Sequence, residues 1–328
     1  MRETAPLAAG ASSAVIASSA THAPSIGSTP SIASIASTSS APSTNVSASG
    51  SASGGSSAAL TPVKSPDRLR FAVIGDYGVA GDAERRVAEL VKAYHPEIVI
   101  TTGDNNYPLG GADTIDRNIG QYYSEFIGGY HGKYGPGASE NRFFPALGNH
   151  DWYTDEGKAY FDYFTLPGNE RYYSFRRGPV EFFAIDSDPH EPDGMSATSK
   201  QASWLKAGAQ ASRAAWQIAY MHHPPYSSGP HGSTTEAQWP YAEWGVDLVL
   251  AGHDHTYERA KVRGFTYLVN GLGGNDEYGF KTPAPGSEFR YNEKHGAQLA
   301  EASLDELRLT FVNVDGTRID EVVLTHDH

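Results

Sequence analysis

Five short apolar runs in this chain each end in a turn that carries a side chain able to bind a metal ion. Leu69 to Ile74 runs into Gly75-Asp76 and Glu97 to Thr102 into Gly103-Asp104, while Phe143 to Leu147 runs into Gly148-Asn149-His150. Trp216 to Met221 leads to His222, and Val246 to Ala251 to Gly252-His253-Asp254-His255. Runs rich in branched and aromatic residues and closed by such turns predict strands. In sheets with parallel character, ligand sites gather at the carboxyl ends of strands, and glycine there lets the backbone turn sharply. One Asp after a strand is usually a cap or a turn residue. Five such ends in order, interleaved with helices, constrain the chain to a fold whose strand ends meet.

The segments between them fit an α/β fold. A helix capped by Asp82, with Val87, Leu90, Val91 and Tyr94 at helical spacing, separates the first two strands and is stopped by His95-Pro96, so those strands are predicted to be parallel. Asp104 to Asn141 is rich in loops, with one helix around Ile119 to Ile127. Tyr172 to Phe175 and Val180 to Ile185 form a hairpin, Lys200 to Ser212 a helix, and Phe265 to Asn270 a strand. Leu307 to Val314 and Ile319 to Thr325 close the chain as a hairpin turning at Asp315-Gly316. No repeat is present. The expected architecture is a sandwich of two mixed β-sheets flanked by helices, a single domain over residues 66–328.

Residues 1–65 differ in kind, being almost entirely Ser, Ala, Thr, Gly and Pro, and the first aromatic residue of the chain is Phe71. So little apolar bulk cannot offset the entropy of ordering, which predicts a disordered leader or linker. Leu7 to Ala20 is mildly apolar and ends in Ser18-Ser19-Ala20, the outline of a degenerate signal peptide. No window after the leader is long and apolar enough to span a bilayer. The chain has no cysteine, so any metal must be held by nitrogen and oxygen. A formal net charge of −13 without a basic run argues against nucleic-acid duplex binding. It leaves small phosphate-bearing substrates open, because bound metal ions dominate the local potential.

Read together, Gly75-Asp76-Tyr77-Gly78, Gly103-Asp104-Asn105-Asn106-Tyr107, Gly148-Asn149-His150-Asp151, Met221-His222 and Gly252-His253-Asp254-His255 resemble, in order, the signature blocks of the calcineurin-like metallophosphoesterases. More narrowly they are similar to the purple acid phosphatases. The wider superfamily carries Asp-x-His in the first block, whereas this chain has Gly78 at the third position and Tyr107 in the second block, the paired swap of the purple enzymes. The resemblance covers about residues 69 to 275 and implies a four-layer sandwich. It implies two metal ions, one held by Asp76, Asp104, Tyr107 and His255 and the other by Asp104, Asn149, His222 and His253. The first would be ferric iron and the second divalent iron, zinc or manganese, in keeping with a phenolate and carboxylate set beside an imidazole and amide set. Phosphate monoesters would be hydrolysed by in-line attack of metal-bound hydroxide, with His150 and His231 serving the leaving group and the phosphoryl oxygens. The alternatives are a phosphodiesterase or nucleotide-cleaving enzyme, and a metal- or phosphate-binding protein with weak turnover. Family and leader together imply export.

Other residues take plainer readings. His223 adjoins a ligand position, but strand neighbours point to opposite faces, which makes it a structural histidine. Asp151 and Glu258-Arg259 orient ligands and loops. Asp186-Ser187-Asp188 follows a strand yet supplies no ligand in the family. Gly271 to Gly279 is either a pocket rim or a plain turn cluster. Trp152, Tyr153, Tyr226 and Trp239 either shape an entrance or belong to the core.

Overall fold

The computed structural model describes residues 67–326, so the leader and its signal lie outside the described residues. The first sheet contains β1 (Arg68–Ile74), β2 (Ile98–Thr101), β3 (Phe143–Pro145), β11 (Gly296–Ser303), β12 (Glu306–Asn313) and β13 (Arg318–Thr325), in the order β13-β12-β11-β1-β2-β3. The second contains β4 (Tyr173–Arg177), β5 (Val180–Ala184), β6 (Trp216–Tyr220), β7 (Leu248–Ala251), β8 (Tyr257–Val262), β9 (Phe265–Asn270) and β10 (Ser287–Tyr291), in the order β10-β8-β9-β7-β6-β5-β4. β1, β2 and β3 are parallel, as are β5, β6, β7 and β9, and the outer pairings are antiparallel. The helices are α1 (Asp82–Tyr94), α2 (Gln121–Tyr123), α3 (Asn149–Trp152), α4 (Lys158–Tyr163), α5 (Lys200–Ala211) and α6 (Tyr241–Trp244). Among the described residues no helix is long and apolar enough to cross a membrane.

Burial follows strand type. β2 and β7 are buried along their whole length, as strands covered on both faces must be, whereas β12 alternates buried and half-exposed positions. The two-residue period sorts side chains between layers: Phe182 meets Phe71 in the core between the sheets, their ring centres 5.2 Å apart, while Phe183 joins the outer cluster with Ala202 and Leu205 of α5. α1 buries Val87, Ala88 and Val91 on the outer side of the first sheet. Helix, sheet, sheet and helix thus make the predicted layers.

Several local expectations change. Asp82 opens α1 without capping it, and the N-cap is Gly81. The helix expected around Ile119 is three short pieces, a π-helical turn at Asp116–Gly120, α2, and a 3₁₀ turn at Ser124–Phe126. There Gly120 packs against the Asp116 carboxylate and the hydroxyls of Tyr130 and Tyr163, leaving no room for a side chain. Strands β8, β10 and β11 have little strand signal in the sequence, because Tyr257–Val262 and Ser287–Tyr291 are rich in charge and Gly296–Ser303 in alanine. Pairing imposes the extended state on them, β11 lying between β1 and β12.

Glu84 of α1 is fully buried; its Oε2 accepts from the backbone N–H groups of Val79 (3.2 Å) and Ala80 (2.8 Å), and its Oε1 has no hydrogen-bond partner among the described residues. Burial pushes this carboxyl well above the usual range, the two donors opposing only in part. A folded pKa above the unfolded one contributes stability at acidic pH that is lost as pH rises through the folded value. Glu84→Gln, which cannot ionise, is therefore expected to raise stability by about 1 kcal/mol or more at pH ~8, with the gain shrinking toward pH ~4. Urea midpoints across that range check it, and a pH-independent difference would count against it.

Candidate metal centre

The parallel strands of both sheets end on the same side, and loops from the two sheets lock together there. β1 and β2 deliver Asp76 and Asp104, β3 leads through Gly148 to Asn149 and His150 at the start of α3, and β6 and β7 deliver His222 and His253. Cross-links join the sheets: His222 Nδ1 donates to the Thr102 carbonyl (2.9 Å), Asp76 Oδ2 accepts from His253 N (2.9 Å), and Asn270 Nδ2 donates to the Val73 carbonyl (3.0 Å). Asp104 Oδ1 accepts from His150 N at 2.9 Å, so each carboxylate is aimed by a backbone N–H. Asp76, Asp104 and His253 have φ of 55°, 51° and 69°, a left-handed region that side chains other than glycine enter at a cost. The cross-links hold that strain in place.

The side chains singled out in the sequence converge. Tyr107 Oη lies 2.8 Å from Asp104 Oδ2, 3.2 Å from Asp76 Oδ1 and 3.2 Å from His255 Nε2. His222 Nε2 lies 3.0 Å from Asn149 Oδ1, 3.1 Å from His253 Nδ1 and 3.3 Å from Asp104 Oδ2. Asp76, Asp104 and His222 offer atoms within 4.8 Å of one another, as do His222, His223 and His253. His150 and His231 stand nearer the mouth: His150 Nε2 is 3.9 Å from Asp104 Oδ2, and the His231 ring is centred 4.2 Å from that of His253.

The cluster holds more acceptors than protons. His222 spends its Nδ1 proton on Thr102 and His255 its own on the Asp276 carbonyl (2.6 Å), so in the neutral form each turns an Nε2 lone pair toward carboxylate or amide oxygen. The Tyr107 phenol has one proton for all its contacts. Burial, then the charges of Asp104 and Asp76, push the Tyr107 hydroxyl well above its ordinary pKa. At His222 burial acts to lower the pKa, yet the charges of Asp104 and Asp76 prevail and push it up to about 10. A proton there stands where a cation would. Burial and the neighbouring imidazoles of His222, His223 and His231 lower His253, keeping it in the neutral form that ligates metals. Buried acceptors facing one another require positive charge between them, so this nitrogen and oxygen set fits metal ions.

A family model described as calcineurin-like phosphoesterase matches residues 69–257, more than half of the chain. The chain belongs to the calcineurin-like phosphoesterases. Its similarity extends to purple acid phosphatase 17 of Arabidopsis thaliana, 29% identical over 60% of this chain and 65% of the relative, and to human tartrate-resistant acid phosphatase type 5, 22% identical over 76% and 88%. The chain thus spans just under two thirds of the first of these. Two solved structures share the fold at a TM-score of 0.63. They are GAP50, the anchor in the inner membrane complex of Plasmodium (21% identity, 80% of this chain, 90% of that one), and the purple acid phosphatase PPD1 from yellow lupin, Lupinus luteus (19%, 80% and 54%).

Within this phosphoesterase the swap of Gly78 for histidine has a steric basis. A Cβ on Gly78 would lie 1.8 Å from the Asn105 carbonyl oxygen and 2.4 Å from its carbon, and Tyr107 N donates to the Gly78 carbonyl at 2.8 Å. The loop that carries Tyr107 occupies the space a side chain at position 78 would need. Asn118 Nδ2 ties down the same loop, donating to Asn106 Oδ1 (2.9 Å) and the Tyr107 carbonyl (2.8 Å). Of the motif glycines, Gly103 alone needs positive φ, at 93°; Gly75, Gly148 and Gly252 are required because other strand ends pass too close for a Cβ. That corrects the expectation that all of them serve sharp turns.

Asp151 accepts from Gly148 N, Asn105 N and Asn105 Nδ2 at 2.8–3.2 Å, and burial together with the Asp104 charge raises it to about 7. The loop bearing His231 hangs on two buried carboxylates: Asp254 accepts from His231 N (3.0 Å) and the Ser227 hydroxyl, and Glu258 accepts from Ser228 N (2.6 Å) and Ser228 Oγ (2.5 Å). Arg259 instead pairs with Asp320 and Glu288. His223 does not face away from the site as strand alternation predicts: its ring lines the pocket 4.4 Å from that of His253, while its Nδ1 is engaged by Ser187 Oγ at 3.1 Å. The pocket is an open cavity of about 420 Å³. Tyr153, Tyr278, Asp188 and His190 also line it; Tyr278 makes the Gly271 to Gly279 segment a pocket rim, while Asp188 and His190 are not among the site residues read from the sequence. Asp188 had the same signal as the others, a carboxylate after a strand. Trp152 is core, and Tyr226 and Trp239 line a different pocket.

Proposed function

We propose that this chain hydrolyses phosphate monoesters at a dinuclear metal centre of the purple acid phosphatase kind. Asp76, Asp104, Tyr107 and His255 would hold one ion, ferric iron, and Asp104, Asn149, His222 and His253 the other, divalent iron, zinc or manganese. The observation that carries this is the surplus of acceptors around the single Tyr107 proton. When bound, such ions supply positive charge against phosphoryl oxygens and acidify water.

The chain's own groups do the rest. Asp104 orients both halves of the cluster, one oxygen toward His150 N and the other toward Tyr107 and His222. Asn149 donates its amide to Tyr153 Oη (2.8 Å), which turns Oδ1 inward. His150 donates Nδ1 to the Pro108 carbonyl (2.6 Å), and its ring is centred 4.3 Å from that of Tyr107, directing Nε2 toward the site where a leaving oxygen needs a proton. His231, exposed at the mouth and held by its backbone, offers a second donor to phosphoryl oxygens. The low-complexity leader supports export as part of this reading.

Rates on an aryl phosphate and on its bis-aryl diester test the reaction, and visible absorption beside metal analysis tests the centre. Monoester preference is expected, with a purple band that Tyr107→Phe removes. Diester preference would overturn the monoester reading, and a colourless protein loaded with two zinc or manganese ions would overturn the ferric tyrosinate. Full metal loading without turnover of either ester would favour a binding protein.

A further inference from the structure

The reacting phosphate is served by the cluster, but whatever a substrate carries beyond it meets a wall of unusual charge. Outside the ligand set the described residues of the pocket wall present imidazole and phenol groups, Pro189 and one carboxylate, Asp188, with neither lysine nor arginine among them. Asp188 is 2% exposed, and its Oδ1 holds both the backbone N (2.9 Å) and Nδ1 (2.5 Å) of His190, which covers it. Asp188 follows β5 and Asp276 follows β9, so carboxylates flank the adjacent pair β6 and β7 on both sides. Basic groups nearby are already engaged: Arg171 and Lys200 pair with Glu191 and Asp193 further along the Asp188 loop, and Lys281 Nζ donates to the Pro230 carbonyl (2.6 Å). Among the described residues no guanidinium or ammonium of the wall would receive a second phosphate on the leaving group, which would enter close to a buried negative charge that solvent screens poorly.

Resting on the phosphatase reading, we infer that the leaving-group side of this pocket selects monoesters whose leaving group bears no further phosphate, and that Asp188 is the specificity-determining residue. Asp188→Asn keeps an oxygen for both His190 contacts while removing the charge. His190→Ala removes the donor that covers that charge and should act in the opposite sense.

The test compares kcat/KM of the metal-loaded full chain on phenyl phosphate and on hydroquinone bisphosphate, which differ by one phosphate on the same ring. The expected result is a preference for phenyl phosphate of at least about tenfold, reduced about fivefold or more in Asp188→Asn and increased in His190→Ala. Equal or better turnover of the bisphosphate, or a ratio that Asp188→Asn leaves within twofold, would overturn the inference. Calorimetry with phenylphosphonate and para-phenylene bisphosphonate reads the same discrimination without turnover. If neither ester is hydrolysed the phosphatase reading fails, and tighter binding of the monophosphonate still supports the selection while tighter binding of the bisphosphonate overturns it.

Discussion

Asp104→Asn is expected to leave the fold intact and lower kcat on an aryl phosphate by at least about 10³-fold, with metal content falling from two ions per chain to one or none. The Asp104 carboxylate faces both halves of the cluster, 2.8 Å from Tyr107 Oη and 3.3 Å from His222 Nε2. An amide keeps an oxygen for His150 N but loses the charge and the second oxygen that a bridging position needs. Metal analysis and steady-state kinetics on the same preparation check it. Two ions with a rate within tenfold of the parent would sink the bridging role. Far-ultraviolet circular dichroism establishes that the variant is folded.

Gly78→Ala should be strongly damaging, because among the glycines of the described residues its Cβ would make the shortest contact, 1.8 Å. Its Cβ would meet the backbone of Asn105 and, at 2.9 Å, that of Asn106, and backbone cannot rotate away as a side-chain tip does. The Asn105-to-Tyr107 loop must move, breaking the bond from Tyr107 N to the Gly78 carbonyl and displacing the phenol. Overpacking of this kind costs about 1–3 kcal/mol, and a shift of order 1 Å at a reacting centre costs about 10²-fold in rate. Both are expected together, read from the urea midpoint and kcat. Gly279→Ala, whose Cβ would meet no atom of the described residues within 4 Å beyond its chain neighbours, is the control and should change stability by less than about 0.5 kcal/mol. A Gly78→Ala variant with unaltered midpoint and rate would show that the loop is not wedged against position 78.

The outcome differs by kind of feature. Strands β1, β2, β6, β7, β9, β12 and β13 were legible because branched and aromatic runs bounded by turn residues have few other uses. β8, β10 and β11 were not, because charged residues in the first two and alanines in the third blur the strand pattern, and pairing with neighbouring strands holds them extended. At the site, the residues after five strand ends marked which side chains come together, since that position on a strand determines its direction. The opposite facing that strand alternation predicts for His223 does not occur, because β6 ends at Tyr220 and alternation does not continue beyond it.

By itself the sequence determined which chemistry is available: a cysteine-free set of carboxylates, imidazoles, an amide and a phenol, placed at the ends of strands whose order a parallel sheet must respect. That much is local, set by residue type and by the period of each element. Only the tertiary structure decided what lies between those side chains and around them. It set one phenol proton against several acceptors, wedged the Tyr107 loop onto Gly78, and walled the pocket with Asp188 rather than with a basic residue. Those are contacts between distant segments, and no local pattern records them because each depends on how closely two strand ends approach.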